Sequence, residues 1–203
     1  MDKHKKNNAA GRVRLAERNI AFGYLGQAAT ALMSFVLRTI FIRHLSEQLL
    51  GVNSLYTNIL SILSMAELGI GTALNFALYR PVAEENTEKI KSYMKMYRKA
   101  YTVIALVVAV IGLAIAPFLK YLIKDPGSIT VREMTVYYLI FLFNTVSTYF
   151  VSYKYSLCNA EQRNYIQTNI NTITKITVTL LQMAVFVLTG NFLFYLLTDM
   201  FVQ

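Results

Sequence analysis

Apolar residues along this chain gather into five long runs and one shorter one, separated by polar or basic stretches. The long runs cover about 19–42, 49–79, 101–123, 136–157 and 165–188, and the second is broken only by Glu67. A helix rises about 1.5 Å per residue and the hydrocarbon core of a bilayer is about 30 Å thick, so about 20 apolar residues suffice to cross it. The sixth run, 192–203, is too short by the same arithmetic. The pattern therefore predicts an all-α membrane protein with five transmembrane helices and an incomplete sixth. Arg80-Pro81 is expected to end the second helix, because proline disfavours helical geometry at the residue before it. Asp125-Pro126-Gly127-Ser128 and Thr189-Gly190-Asn191 read as turns. The first run contains Arg38 and lacks a short apolar stretch ending in a small-residue cleavage site, so it reads as a retained helix rather than a signal peptide.

Composition agrees with the pattern. Of the 203 residues, 55% are hydrophobic and only 15% charged, against about 25% charged in a soluble domain. A single cysteine, Cys158, excludes an internal disulfide. The net charge of +9 acquires meaning from its placement. Residues 1–18 form a polar, basic N-terminus with six Lys or Arg, the 80–99 connection holds six more, and Lys154 and Arg163 lie between the fourth and fifth runs. The opposite connections hold only Arg43, Lys120, Lys124 and Arg132. Basic residues favour the cytoplasmic side, so the N-terminus is expected in the cytoplasm. The cations then face anionic lipid heads, with no basic-aromatic pattern calling for nucleic acid. Ile90, Tyr93, Met94 and Tyr97 recur at helical spacing among Lys91, Lys95, Arg98 and Lys99. This segment is either an amphipathic helix lying on the inner leaflet or an extension of the third helix.

Four of the runs carry a polar stripe at steps of three and four. The first has Asn19, Gly23, Gln27, Thr30, Ser34 and Arg38; the second Asn53, Thr57, Ser61, Ser64, Glu67, Gly71 and Asn75. The fourth has Asn144, Thr148, Ser152 and Tyr155, and the fifth Asn164, Thr168, Asn171, Lys175, Thr179 and Gln182. The third run is nearly devoid of polar side chains and is expected to face lipid. A single stripe can serve hydrogen bonds between packed helices; four together point to a water-accessible cavity. Charges at membrane depth are costly and usually face inward. Lys175 and Glu67 each lie roughly 18 Å from the inner side and can pair, or Glu67 can exchange a proton or sodium ion. Arg38 lies nearer the outer mouth, where it lines the cavity or snorkels to the interface.

Signatures of catalysis are missing. His4 and His44 are too few for a metal set, no acid-base pair sits in a span, and no glycine loop followed by Lys is present. An enzyme and a bound cofactor are not expected.

The segments Arg-Thr-Ile-Phe-Ile-Arg-His-Leu-Ser (38–46), Leu-Leu-Gly-Val-Asn-Ser-Leu-Tyr (49–56), Ser-Met-Ala-Glu-Leu-Gly-Ile-Gly-Thr-Ala-Leu (64–74) and Leu-Tyr-Arg-Pro-Val-Ala (78–83) strongly resemble Wzx-like polysaccharide flippases. These belong to the MOP superfamily, with the MATE exporters and the lipid II flippase MurJ. The resemblance implies two six-helix lobes facing each other across a central cavity, with 19–203 forming a truncated N-terminal lobe and the C-terminal lobe missing. It implies translocation of undecaprenyl-pyrophosphate-linked oligosaccharide across the bacterial cytoplasmic membrane by alternating access, for capsule, exopolysaccharide or O-antigen synthesis, with H+ or Na+ as coupling ion. Carried onto this chain, it implies Arg38 and Lys175 as cavity cations, Gln27, Asn144 and Asn171 as sugar contacts, and Glu67 as the coupling or pairing acid. A MATE-like drug or cation exporter and a non-transporting gene fragment are the competing expectations.

Overall fold

The computed structural model of the chain describes residues 3–44, 46–65, 68–123, 127 and 129–202, with side chains from Glu17 onward apart from 44, 68–70 and 74. The described residues form helices joined by short turns, in the order α1 Lys3–His44, α2 Glu47–Met65, α3 Leu68–Ala83, α4 Thr87–Ile115, a 3-10 turn Ala116–Phe118, α5 Leu119–Leu122, α6 Val131–Ala160, α7 Asn164–Thr189 and α8 Phe192–Val202.

Local chemistry sets several of these boundaries. Asn86 begins α4 by accepting from the Lys89 amide at 3.0 Å. Thr130 and Glu133 begin α6 with a reciprocal capping box, the Glu133 amide donating to Thr130 Oγ1 at 3.2 Å and the Thr130 amide to Glu133 Oε2 at 2.8 Å. Gly190 ends α7 with φ +58°, a left-handed conformation that costs glycine little. Asn191 then accepts from the Leu193 amide at 2.8 Å and starts α8.

Four helices are long and apolar enough to cross a membrane: 17–43, 87–122, 131–160 and 164–189. They match the first, third, fourth and fifth runs. In the second run, α2 and α3 flank residues 66 and 67, which lie outside the described residues, and neither α2 nor α3 is among the four. The polar face of α2 lowers its hydropathy, and α3 has only 16 residues. Pro81 does not end α3, which continues to Ala83. So near a helix end the missing proline N–H removes one backbone bond and the ring is tolerated. The basic segment of 87–99 is the first three turns of α4, continuous with the span, so it extends the third helix instead of forming a separate one.

Helix α6 is the hub, packing against α2, α3, α4, α7 and α8, while α1 lies along α7. Where α4 crosses α6, Tyr138 Oη donates to the Gly112 carbonyl at 3.0 Å, and a Cβ at Gly112 would overlap the Leu142 side chain. Where α1 crosses α7, a Cβ at Gly26 would lie 2.7 Å from Thr172 Oγ1. Glycine lets both pairs approach closely, a common device where lipid offers helices no hydrophobic reason to associate. Phe41, Phe186, Phe192 and Tyr195 close one end of the bundle, with Phe186 stacked on Tyr195 at 4.7 Å. At the other end Tyr97 is buried with Leu78 and Ala160. There Arg80 donates to Glu84 at 2.7 Å, which holds the Glu84 carboxyl below its ordinary range. Val103, Leu106, Val107 and Val110 of α4 are exposed, the apolar surface expected of a lipid-facing helix.

Candidate functional site

The polar faces of α2, α6 and α7 line two adjoining open grooves. The first, of about 550 Å³, is bounded by Thr57, Ser61 and Ser64 of α2, Asn144, Thr145 and Thr148 of α6, and the apolar Leu60, Met65 and Phe141. The second, of about 460 Å³, is bounded by Ser147, Thr148, Ser152 and Tyr155 of α6, by Gln167, Asn171, Thr174 and Lys175 of α7, and by the apolar Val151, Ile170 and Val178. Thr148 and Asp199 belong to both linings.

Most wall hydroxyls are committed to their own helix. Thr57 donates to the Asn53 carbonyl at 2.8 Å, Ser64 to Leu60 at 2.9 Å, Thr148 to Thr145 at 2.7 Å and Ser152 to Thr148 at 2.8 Å. A hydroxyl carries one donor and two acceptor lone pairs. With the donor spent on the backbone, these oxygens present acceptors to the groove. Donors come from the amides of Gln167 and Asn171 and from the Lys175 ammonium.

Asp199 sits between the two grooves. Asn144 Nδ2 donates to its Oδ2 at 3.2 Å, and Lys175 attracts it electrostatically from the wall of the second groove. The ion pairs among the described residues are Arg80–Glu84, Lys91–Glu88 and Arg163–Glu161, so Lys175 and Asp199 share the groove without closing to salt-bridge distance. The site thus offers one cation, one anion and a surrounding field of neutral hydroxyls and amides.

Of the residues singled out in the sequence, Asn144, Asn171 and Lys175 come together here. Gln27 and Arg38 are exposed on α1 and are not among the lining residues of these two grooves. Glu67 lies outside the described residues. The acid sharing a groove with Lys175 is Asp199, which the sequence reading passed over because the sixth run was set aside as too short to span. A carboxylate inside the apolar stretch Phe192–Val202 is the signal that marks it.

Other stripe members serve packing. Gln182 is buried and donates to the Tyr195 carbonyl at 3.3 Å, joining α7 to α8. Asn19 spans α1 and the α6–α7 turn: its Nδ2 donates to the Gln162 carbonyl and its Oδ1 accepts from the Tyr165 amide, both at 2.8 Å. The residue preceding α7, Arg163, makes no side-chain cap of its own, so Asn19 caps α7 from a distant helix.

The family model described as MatE matches residues 24–174, about three quarters of the chain. The match runs from the middle of α1 to the Lys175 turn of α7 and takes in the walls contributed by α2 and α6. No curated protein and no solved structure matches the chain.

Proposed function

The chain belongs to the MatE family, multi-pass membrane transporters of the MOP/MATE superfamily, and from that premise we propose that it is the N-terminal lobe of a lipid-linked oligosaccharide flippase. The observation that carries this reading is the character of the groove lining. Most lining residues carry a hydroxyl or an amide, set among apolar side chains with few aromatic rings, and the wall oxygens keep lone pairs for accepting. A sugar chain brings many hydroxyl donors to such a surface. Lys175 supplies a cation for the pyrophosphate that joins sugar to carrier lipid, and charged hydrogen bonds of this kind are the stronger ones. Asp199 holds that cation's field in check while the groove is empty. The distribution of Lys and Arg supports a cytoplasmic N-terminus in a bacterial cell membrane. Transport moves cargo without making or breaking covalent bonds, so no catalytic group is assigned.

A second reading, export of an organic cation, is favoured by Asp199 and by the same acceptor-rich walls. Transport by the protein expressed from its intact gene separates the two. With labelled undecaprenyl-pyrophosphate oligosaccharide in proteoliposomes, the intact protein moves the label between leaflets, and Lys175→Ala lowers the rate about tenfold at unchanged expression, as expected for a lost charged hydrogen bond. Unchanged flipping in Lys175→Ala removes Lys175 from the path. Efflux of cationic dyes with no flipping of the oligosaccharide replaces the first reading by the second.

A further inference from the structure

We infer that the outer face of α4 binds an anionic phospholipid, with the headgroup on Lys95 and Lys99 and an acyl chain along Val103, Leu106 and Val110. On a helix, residues three and four apart stack on one face, and these five positions form one continuous stripe that is basic at its start and apolar beyond. All five side chains are exposed.

The stripe has the depth of a lipid. Counting about 20 residues back from Leu122, the end of this span, places the edge of the hydrocarbon core at about Val103. Lys99 then lies one turn outside the core, roughly 6 Å and within the headgroup layer of about 5–8 Å, and Lys95 lies one turn farther out, from which its long flexible stem reaches back to that layer. Among the described residues, nothing neutralises these two cations. Glu88 pairs with Lys91 at 3.3 Å, and neither Lys95 nor Lys99 takes part in an ion pair among the described residues. Like charges at i and i+4 repel within a helix, so the stripe invites a counter-charge from outside. The helix is also held still. Its opposite face seats Tyr97 against Leu78 and Ala160, so the lysines stand on a fixed platform at the interface.

Charge and apolar continuity together select a phospholipid. A phosphate without acyl chains satisfies only the first half of the stripe, and a zwitterionic lipid only the second. Native mass spectrometry of the detergent-solubilised full protein, titrated with phosphatidylglycerol or with phosphatidylcholine of the same chains, tests this. Phosphatidylglycerol is expected to be retained preferentially. Each cation at a membrane surface is worth about fivefold, so Lys95→Gln/Lys99→Gln should weaken retention about 25-fold. Lys95→Arg/Lys99→Arg should keep it, and Lys120→Gln at the other end of the span should leave it unchanged. Three results overturn the site: equal retention of both lipids, unaltered phosphatidylglycerol binding in the double glutamine variant, or displacement of the lipid by equimolar glycerol phosphate.

Discussion

Asn144 donates a side-chain hydrogen bond to Asp199 across 3.2 Å, joining the hub helix α6 to α8 at the wall between the two grooves. The bond fixes one carboxylate oxygen of Asp199 beside the groove that holds Lys175. A ligand phosphate entering that groove meets a cation that shares the groove with a carboxylate tethered by an amide.

The tether can be tested by reversing its chemistry. Asn144→Ala removes the donor, but water in the open groove replaces it, and the expected cost is about 1 kcal/mol. Asn144→Asp instead brings a second carboxylate up to Asp199, and like charges at this separation oppose each other. Thermal unfolding of the detergent-solubilised protein should rank the Asp variant below the Ala variant. An Asp variant as stable as the wild type would mean that the two carboxyls share a proton.

The α4–α6 crossing makes a second prediction. Alanine at Gly112 meets Leu142 Cδ1, Cδ2 and Cγ, so this buried leucine must shift, and the expected loss is about 1 kcal/mol. Valine there fills the space needed by Leu142 and is expected to cost about 1–3 kcal/mol. Pairing Gly112→Val with Leu142→Ala should recover part of that loss, and the double-mutant cycle measured by unfolding reads the coupling directly. Strictly additive losses would show that the two residues do not share the contact.

Asn19 predicts an asymmetry between two substitutions. Asn19→Ala removes both bonds to the α6–α7 turn and leaves the start of α7 uncapped, a loss of about 1 kcal/mol by the usual cost of a missing cap. Asn19→Asp keeps the acceptor for the Tyr165 amide and adds negative charge at a helix N-terminus, where it is favourable, but it sets a carboxylate oxygen in place of the donor to the Gln162 carbonyl. Arg18 lies 4.3 Å from the Tyr165 ring and adds positive charge nearby. Limited proteolysis at the 161–163 turn should therefore accelerate in Asn19→Ala and to a smaller extent in Asn19→Asp, and equal rates in the two variants would show that the bond to the Tyr165 amide contributes nothing.

The helices and their faces were legible because hydropathy and the 3.6-residue period are local properties. Thr57, Ser61, Asn144, Thr148, Asn171 and Lys175 could be placed on faces from spacing alone. What each face meets is not local. Asn19 and Gln27 belong to one stripe, yet Asn19 caps α7 while Gln27 points away from both grooves. Gln182 shares a stripe with Lys175 but packs against α8. Asp199 was missed for a different reason: span length governed the reading of the last run, and the polar residue within it went unweighed.

The cap that Asn19 provides also bears on how the protein is made. Asn19 and Tyr165 are 146 residues apart in the chain. At about 5–20 residues per second of synthesis, the first helix waits roughly 7–30 s before its partner exists. Through that interval the groove at Gly26, shaped to receive Thr168 and Thr172, has only lipid to fill it. Helix α1 thus meets its principal neighbour, α7, only after all the chain between them has been made.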